Sequence, residues 1–183
     1  MNEPLDRVWP VAESLLSCLE EQLSIYDAEA CRTFIAPGNP PAWDFCCHCE
    51  TNAEGMAWVQ IASVFPSDDF PSPQTGPMRC KPSGYGVVLN VGVLRCATSL
   101  DDNGRPPSSE RLTSEARKVI RDRAIVNEAI TCCFLDNVDP GTYVVGDWTP
   151  LGPDGGCVGG QTQLTVVIAA CRCPEHGDDY EAH

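Results

Sequence analysis

The stretch GYGVVLNVGVLRCAT, residues 84–98, constrains this chain more than any other. Val87, Leu89, Val91, Val93 and Arg95 alternate with Val88, Asn90, Gly92, Leu94 and Cys96, which is the two-residue period of a strand. MAWVQIASVFP, residues 56–66, alternates in the same way, and both of its faces are largely apolar, so it reads as a buried strand. Strands of this kind need cover, and two segments of helical period can supply it. Over residues 5–26, Leu5, Val8, Ala12, Leu15, Leu16, Leu19 and Leu23 form a stripe, with Glu13, Glu20 and Glu21 on the other side. Pro10 belongs in a first helical turn, so this helix is expected to start near it.

Residues 109–133 predict the second helix, capped by Ser108 or Thr113. Its apolar stripe is Leu112, Ala116, Val119, Val126, Ile130 and Cys133, and Arg117, Arg121 and Asp122 take the polar positions. Shorter strands are expected at 31–35, 142–148 and 163–171. The order is helix, strands, helix, two strands. It predicts an α+β fold, a small antiparallel or mixed sheet flanked by two main helices and rich in loops. One domain is expected over 1–174, and CPEHGDDYEAH supplies an acidic tail over 175–183 that is expected to fray.

LGPDGGCVGG, residues 151–160, poses a separate question. A phosphate loop needs Gly-Lys-Ser/Thr opening into a helix, yet Lys118 is the last lysine and a strand follows. The stretch therefore reads as a wide, flexible hairpin connection in which Gly152, Gly155 and Gly156 permit positive φ. SDDFPSPQTGPMRCKP, within 66–82, is a long proline-rich loop suited to docking.

The net charge is −14, from 12 basic and 26 acidic residues, which argues against gripping nucleic acid or an anionic membrane through the surface as a whole. No apolar run approaches the length of a membrane span. MNEPLDRVWP is acidic and polar rather than basic and then apolar, which points to synthesis in a bacterial-type cytosol without export. There is no Gly-x-Ser-x-Gly elbow and no paired-carboxylate motif, and no catalytic residues are assigned.

Twelve cysteines are scattered along the chain, unlike a compact disulfide framework. DFCCHCE, residues 44–50, is the candidate metal cluster. Cys46 and Cys49 stand three apart, and Cys171 and Cys173 could complete a tetrahedral zinc site. Adjacent Cys46 and Cys47 are awkward as joint ligands. Disulfides and unpaired buried thiols remain equal alternatives, with no cofactor then required.

WTPLGPDGGCVGGQTQLTVVI, with RCATSLDDNGRPPSSERLTSEA and VAESLLSCLEEQL before it, resembles the tail-terminator or head-to-tail connector proteins of long-tailed actinobacterial phages. The resemblance runs from about Val11 to Ile168 and carries no catalytic residues. It implies a structural virion protein at the head–tail junction, made in the host cytoplasm. Such proteins form a homo-hexameric ring that meets the major tail tube protein on one side and neck proteins on the other. DNA would pass through an acidic lumen without specific binding, and some of Asp68, Asp69, Asp101 and Asp102 are expected near that lumen or ring surface. Another neck ring, a stopper or adaptor, is the near alternative. A cysteine-stapled or zinc-containing binding module is the alternative of a different class.

Overall fold

The computed structural model describes residues 7–37, 46–47, 49, 54–75, 84–100, 103–154 and 156–169. Helix α1 (Val8–Ile25) precedes strands β1 (Arg32–Pro37), β2 (Met56–Ser67) and β3 (Gly84–Cys96). Helix α2 (Ser109–Glu128) continues through a π-helical turn, Ala129–Phe134, and a 3-10 turn, Leu135–Asn137, before strands β4 (Tyr143–Asp154) and β5 (Cys157–Ala169). The fold is α+β, as the element order predicts. Its five strands run in the order β1-β2-β3-β5-β4 in an open sheet. β1 is parallel to β2 and the other pairings are antiparallel, so the sheet is mixed.

Both helices cover one face of the sheet. Ala12, Leu15, Leu19 and Leu23 of α1 and Ile125, Val126, Ala129 and Ile130 pack on Ala57, Val59, Val87, Leu89, Val91, Val93 and Leu164. Pro10 falls in the first turn of α1, where its missing N–H has no partner to lose. That helix ends in a Schellman arrangement. Ala28 N–H donates to Leu23 O at 2.9 Å and Asp27 N–H to Ser24 O at 3.2 Å. Asp27 takes the left-handed position, φ 48°, that glycine usually holds. At the start of α2, Ser108 Oγ accepts from Arg111 N–H at 3.3 Å, so Ser108 rather than Thr113 is the cap. Glu110 in this turn is held below the usual carboxylate range, first by the backbone N–H it receives and then by Ser108.

The opposite face carries a smaller apolar cluster at one end: Ala36, Cys46, Met56, Trp58, Leu94 and Cys157. Trp58 lies flat over Gly92, its cross-strand partner, where an added Cβ would come within 2.3 Å of the indole. Trp148 occupies Gly160 on the helix face in the same manner.

The glycine-rich stretch differs from the expected wide connection. It does join two strands as a hairpin, with Gly152 at φ 85° and Gly156 at φ 79° as expected, but β4 runs to Asp154 and β5 begins at Cys157, so nearly all of it is strand and the reversal is tight. Gly159 and Gly160 supply close approach rather than flexibility, since a Cβ on Gly159 would meet Val93 O at 2.0 Å. The acidic segment 175–183 lies outside the described residues.

Candidate functional site

Three regions concentrate chemistry: the cysteine-fastened end of the sheet, a buried arginine beneath a cleft, and the exposed half of α2.

Eight of the nine described cysteines are paired: Cys18–Cys133, Cys31–Cys49, Cys46–Cys157 and Cys47–Cys96, with Cys132 free and exposed. The scatter in sequence hides a gathering in space. Arg32 pairs with Met56, Met56 with Leu94, and Cys96 with Cys157, so the starts of β1, β2 and β5 and the end of β3 share one sheet end. Cys46, Cys47 and Cys49 are each bonded to that end, which draws buried Cys46 onto the Trp58 cluster. Cys18–Cys133 instead joins α1 to the π-helical turn.

Of the expected zinc ligands, Cys46 and Cys49 sit in two different disulfides, so neither offers a thiolate in this state. Cys171 and Cys173 lie outside the described residues. The sulfurs that do converge are those of Cys46, Cys47 and Cys157, all within 4.8 Å of one another.

Arg95 enters the core at the end of the Val87–Leu89–Val91–Val93 row and is 4% exposed. Its Nε donates to Asp122 Oδ2 and its Nη2 to Asp122 Oδ1, each at 2.9 Å, a bidentate pair with a carboxylate that is 0% exposed. Nη2 also donates to Ala28 O at 2.7 Å, and Nη1 donates to Glu29 O and Glu54 O. All five guanidinium donors are used. Glu54 O can reach because Gly55 (φ 86°) passes within van der Waals distance of Leu94 O, where a Cβ would stand 2.0 Å away. Asp122 thus corrects the sequence expectation that it occupies a polar helix face. The reason is that 122, 125, 126 and 129 share the buried side of the helix.

Above this pair lies an open cleft of about 490 Å³ lined by Asp27, Ala28, Glu29, Glu54, Arg95, Lys118 and Arg121. Lys118 Nζ is paired with Glu54 Oε2 at 3.0 Å across its rim. Since Arg95 has no donor left, it does not serve as an anion anchor there.

The first half of α2 is mostly exposed. Leu112 and Ala116, expected in the core stripe, are both exposed, Leu112 by 50%, and Ile120 by 61%. Spaced four apart, these three form a second apolar row that turns sideways from the core. Arg117 and Arg123 flank it, while Lys118 and Arg121 line the Arg95 cleft and Arg111 faces Thr98; all five are exposed, and they are five of the chain's twelve basic residues. By contrast, α1 carries Glu13, Glu20 and Glu21 and no basic residue.

The proline-rich loop is described only to residue 75. Asp68 and Asp69 are exposed there, and the loop closes on itself through Gln74 N–H to Pro66 O at 2.9 Å and Ser67 Oγ–H to Ser72 O at 2.8 Å. Asp101 and Asp102 lie outside the described residues. No helix among the described residues is long and apolar enough to cross a membrane. No protein-family model matches the chain, and no curated protein matches it either.

Proposed function

We propose that this chain is a structural subunit that assembles head to tail with copies of itself into a ring. The role is the one its sequence resemblance implies: a tail terminator that ends growth of the tail tube and joins it to the head–tail neck of a phage particle. The observation that carries the reading is the Leu112–Ala116–Ile120 row on the first half of α2. Exposed apolar side chains in register on one helix face favour a partner surface. Arg117 and Arg123 beside them, on a helix with five exposed basic residues, favour an acidic one. A second copy of this chain, at net charge −14, offers such a surface, for instance the glutamates of α1. Contact between two different faces generates a closed ring when the rotation closes. The two edge strands of the sheet, β1 and β4, are a further set of dissimilar faces. A stopper or adaptor ring of the neck would use the same contacts.

Assembled particles are the decisive sample, because a subunit of this kind can stay monomeric until it meets a tail. Cryo-electron microscopy is expected to place a ring of this chain at the head–tail junction, with carboxylates facing the lumen. Leu112→Glu with Ile120→Glu is expected to leave the circular dichroism spectrum unchanged and to remove the ring. Absence of the chain from assembled particles, or a lumen lined by Lys and Arg, refutes the reading. The three disulfides that bind Cys46, Cys47 and Cys49 favour a second reading, a cysteine-stapled binding module. That reading gains if the chain stays monomeric and captures a soluble partner that the double glutamate variant still binds.

A further inference from the structure

We infer that in the reduced chain Cys46, Cys47, Cys96 and Cys157 form a tetrathiolate site for a soft divalent metal such as zinc. The disulfides Cys46–Cys157 and Cys47–Cys96 are the oxidised form of that same site.

Geometry carries the assignment. Cys96 and Cys157 are register partners on β3 and β5 and therefore point to one sheet face. Adjacent Cys46 and Cys47 meet them from above, and their sulfurs stand 3.5 Å apart although they belong to different disulfides. Four sulfurs ~2.3 Å from a zinc ion stand ~3.8 Å from one another. The sulfurs of Cys46, Cys47 and Cys157 already fall within 4.8 Å, and Cys96 is bonded to Cys47. To admit the ion the two bonded pairs must part and Cys96, which lies outside that trio, must swing its sulfur in from the facing register position. Adjacency of Cys46 and Cys47, an obstacle in sequence, is no obstacle once both sulfurs converge.

The surroundings suit a site of this kind. Cys46 and Cys157 are buried at 1% and 0%, while Cys47 and Cys96 are exposed and give an entry path. Cys96 also lines an open cleft with Arg105 and Arg111. Four protein sulfurs close the coordination shell, which makes the site structural rather than catalytic.

The redox step balances with a peroxide as oxidant. Two molecules of hydrogen peroxide each accept two electrons from the four thiolates, forming the two disulfides. Four protons are taken up, four waters form, and the metal ion leaves. In a reducing compartment the metal would hold Cys46 and Cys47 onto the sheet end, and after oxidation the disulfides would hold the same segment in the same place.

The test uses the full chain, reduced, with Co²⁺ alone as the probe. A one-to-one complex with the visible d–d bands and thiolate charge-transfer absorption of tetrahedral sulfur coordination is expected. Zinc should displace cobalt, and peroxide should bleach the bands as both disulfides form. Cys96→Ser, and separately the exposed Cys47→Ser, should weaken binding by at least about 100-fold. Cys171→Ser with Cys173→Ser should leave the spectrum intact, as should Cys18→Ala with Cys133→Ala. The proposal is overturned if reduced wild-type protein gives no such spectrum. It is overturned equally if the spectrum survives both Cys96→Ser and Cys47→Ser.

Discussion

Asp122→Asn is the sharpest probe of the core. It keeps the side-chain shape while removing the charge that faces Arg95, and both side chains are buried, at 5% and 0% exposure. No counter-charge faces the guanidinium once the carboxylate is gone, since its other three acceptors are neutral carbonyls of Ala28, Glu29 and Glu54. Breaking a buried pair on one side costs about 3–5 kcal/mol. For a chain of this size that is a fall in Tm of about 6–20 °C, at roughly 2–4 °C per kcal/mol. Urea and thermal unfolding followed by circular dichroism, without reductant so that the cysteine pairs stay fixed, measures it. Arg95→Met alone leaves a buried carboxylate and three carbonyls short of a donor. Adding Asp122→Leu removes the stranded charge, so the double variant should be no less stable than Arg95→Met alone. The coupling energy between the two positions should reach at least about 2 kcal/mol. If Asp122→Asn costs under about 1 kcal/mol, or if the single losses simply add, the ion pair is not what organises this end of the fold.

Removing Cys18–Cys133 with paired alanines frees a sequence separation of 115, worth up to about 5 kcal/mol by loop-closure entropy. Removing Cys31–Cys49, which spans 18, should cost less, about 3 kcal/mol, so the order of the urea midpoints is the check. Asp27→Gly should raise stability by about 0.5–1 kcal/mol, because glycine adopts the left-handed position at the end of α1 without a Cβ clash. Tyr26 donates to Glu128 Oε2, and that hydrogen bond, with burial and the nearby carboxylate charge behind it, raises the phenol above its ordinary value. With the folded value above the unfolded one, the pair's stabilisation is present below pH ~10 and lost as pH rises through the folded value. Tyrosinate absorbance should show one late-titrating phenol that Glu128→Gln brings back toward the others.

The helices and strands were legible because their periods are local. The 3.6-residue period in α1 and two-residue alternation in β2 and β3 locate core faces without any knowledge of the partner. Arg95 stands in the apolar row of β3, where a charge demands a buried counter-charge, but the alternation names no partner for it. Asp122 could have been found by asking which acidic residue shares a helix face with Ile125, Val126 and Ala129. The disulfide pairing was not legible. Cys96 and Cys157 meet only because β3 and β5 align with Gly84 opposite Ala169, and no local pattern encodes that register. The glycine-rich stretch was legible as a hairpin with positive φ at Gly152 and Gly156, but not in its width. Glycine signals either a turn or a close neighbour, and the neighbours of Gly159 and Gly160 are Val93 and Trp148, distant or unpaired in the sequence.

The exposed row on α2 shows where periodicity alone stops. Leu112, Ala116 and Ile120 fit a helix stripe as well as Ile125, Val126 and Ala129 do, and only the sheet decides which stripe it covers. The start of the helix that carries the row lies near the sulfur cluster, since Cys96 and Arg111 line one cleft and Arg111 Nε donates to Thr98 Oγ1 at 3.0 Å. The row and the cluster nevertheless separate cleanly by substitution. Leu112→Glu with Ile120→Glu changes no sulfur and should leave cobalt binding intact while the ring is lost. Cys47→Ser changes no residue of the row and should abolish the metal site while, in the oxidised chain, Cys46–Cys157 and Cys31–Cys49 still fasten the segment. Loss of both properties in either variant would mean that α2 and the cysteine end move as one unit, with Thr98 and Glu115, whose carboxylate accepts from Thr98 N–H at 2.8 Å, as the joint between them.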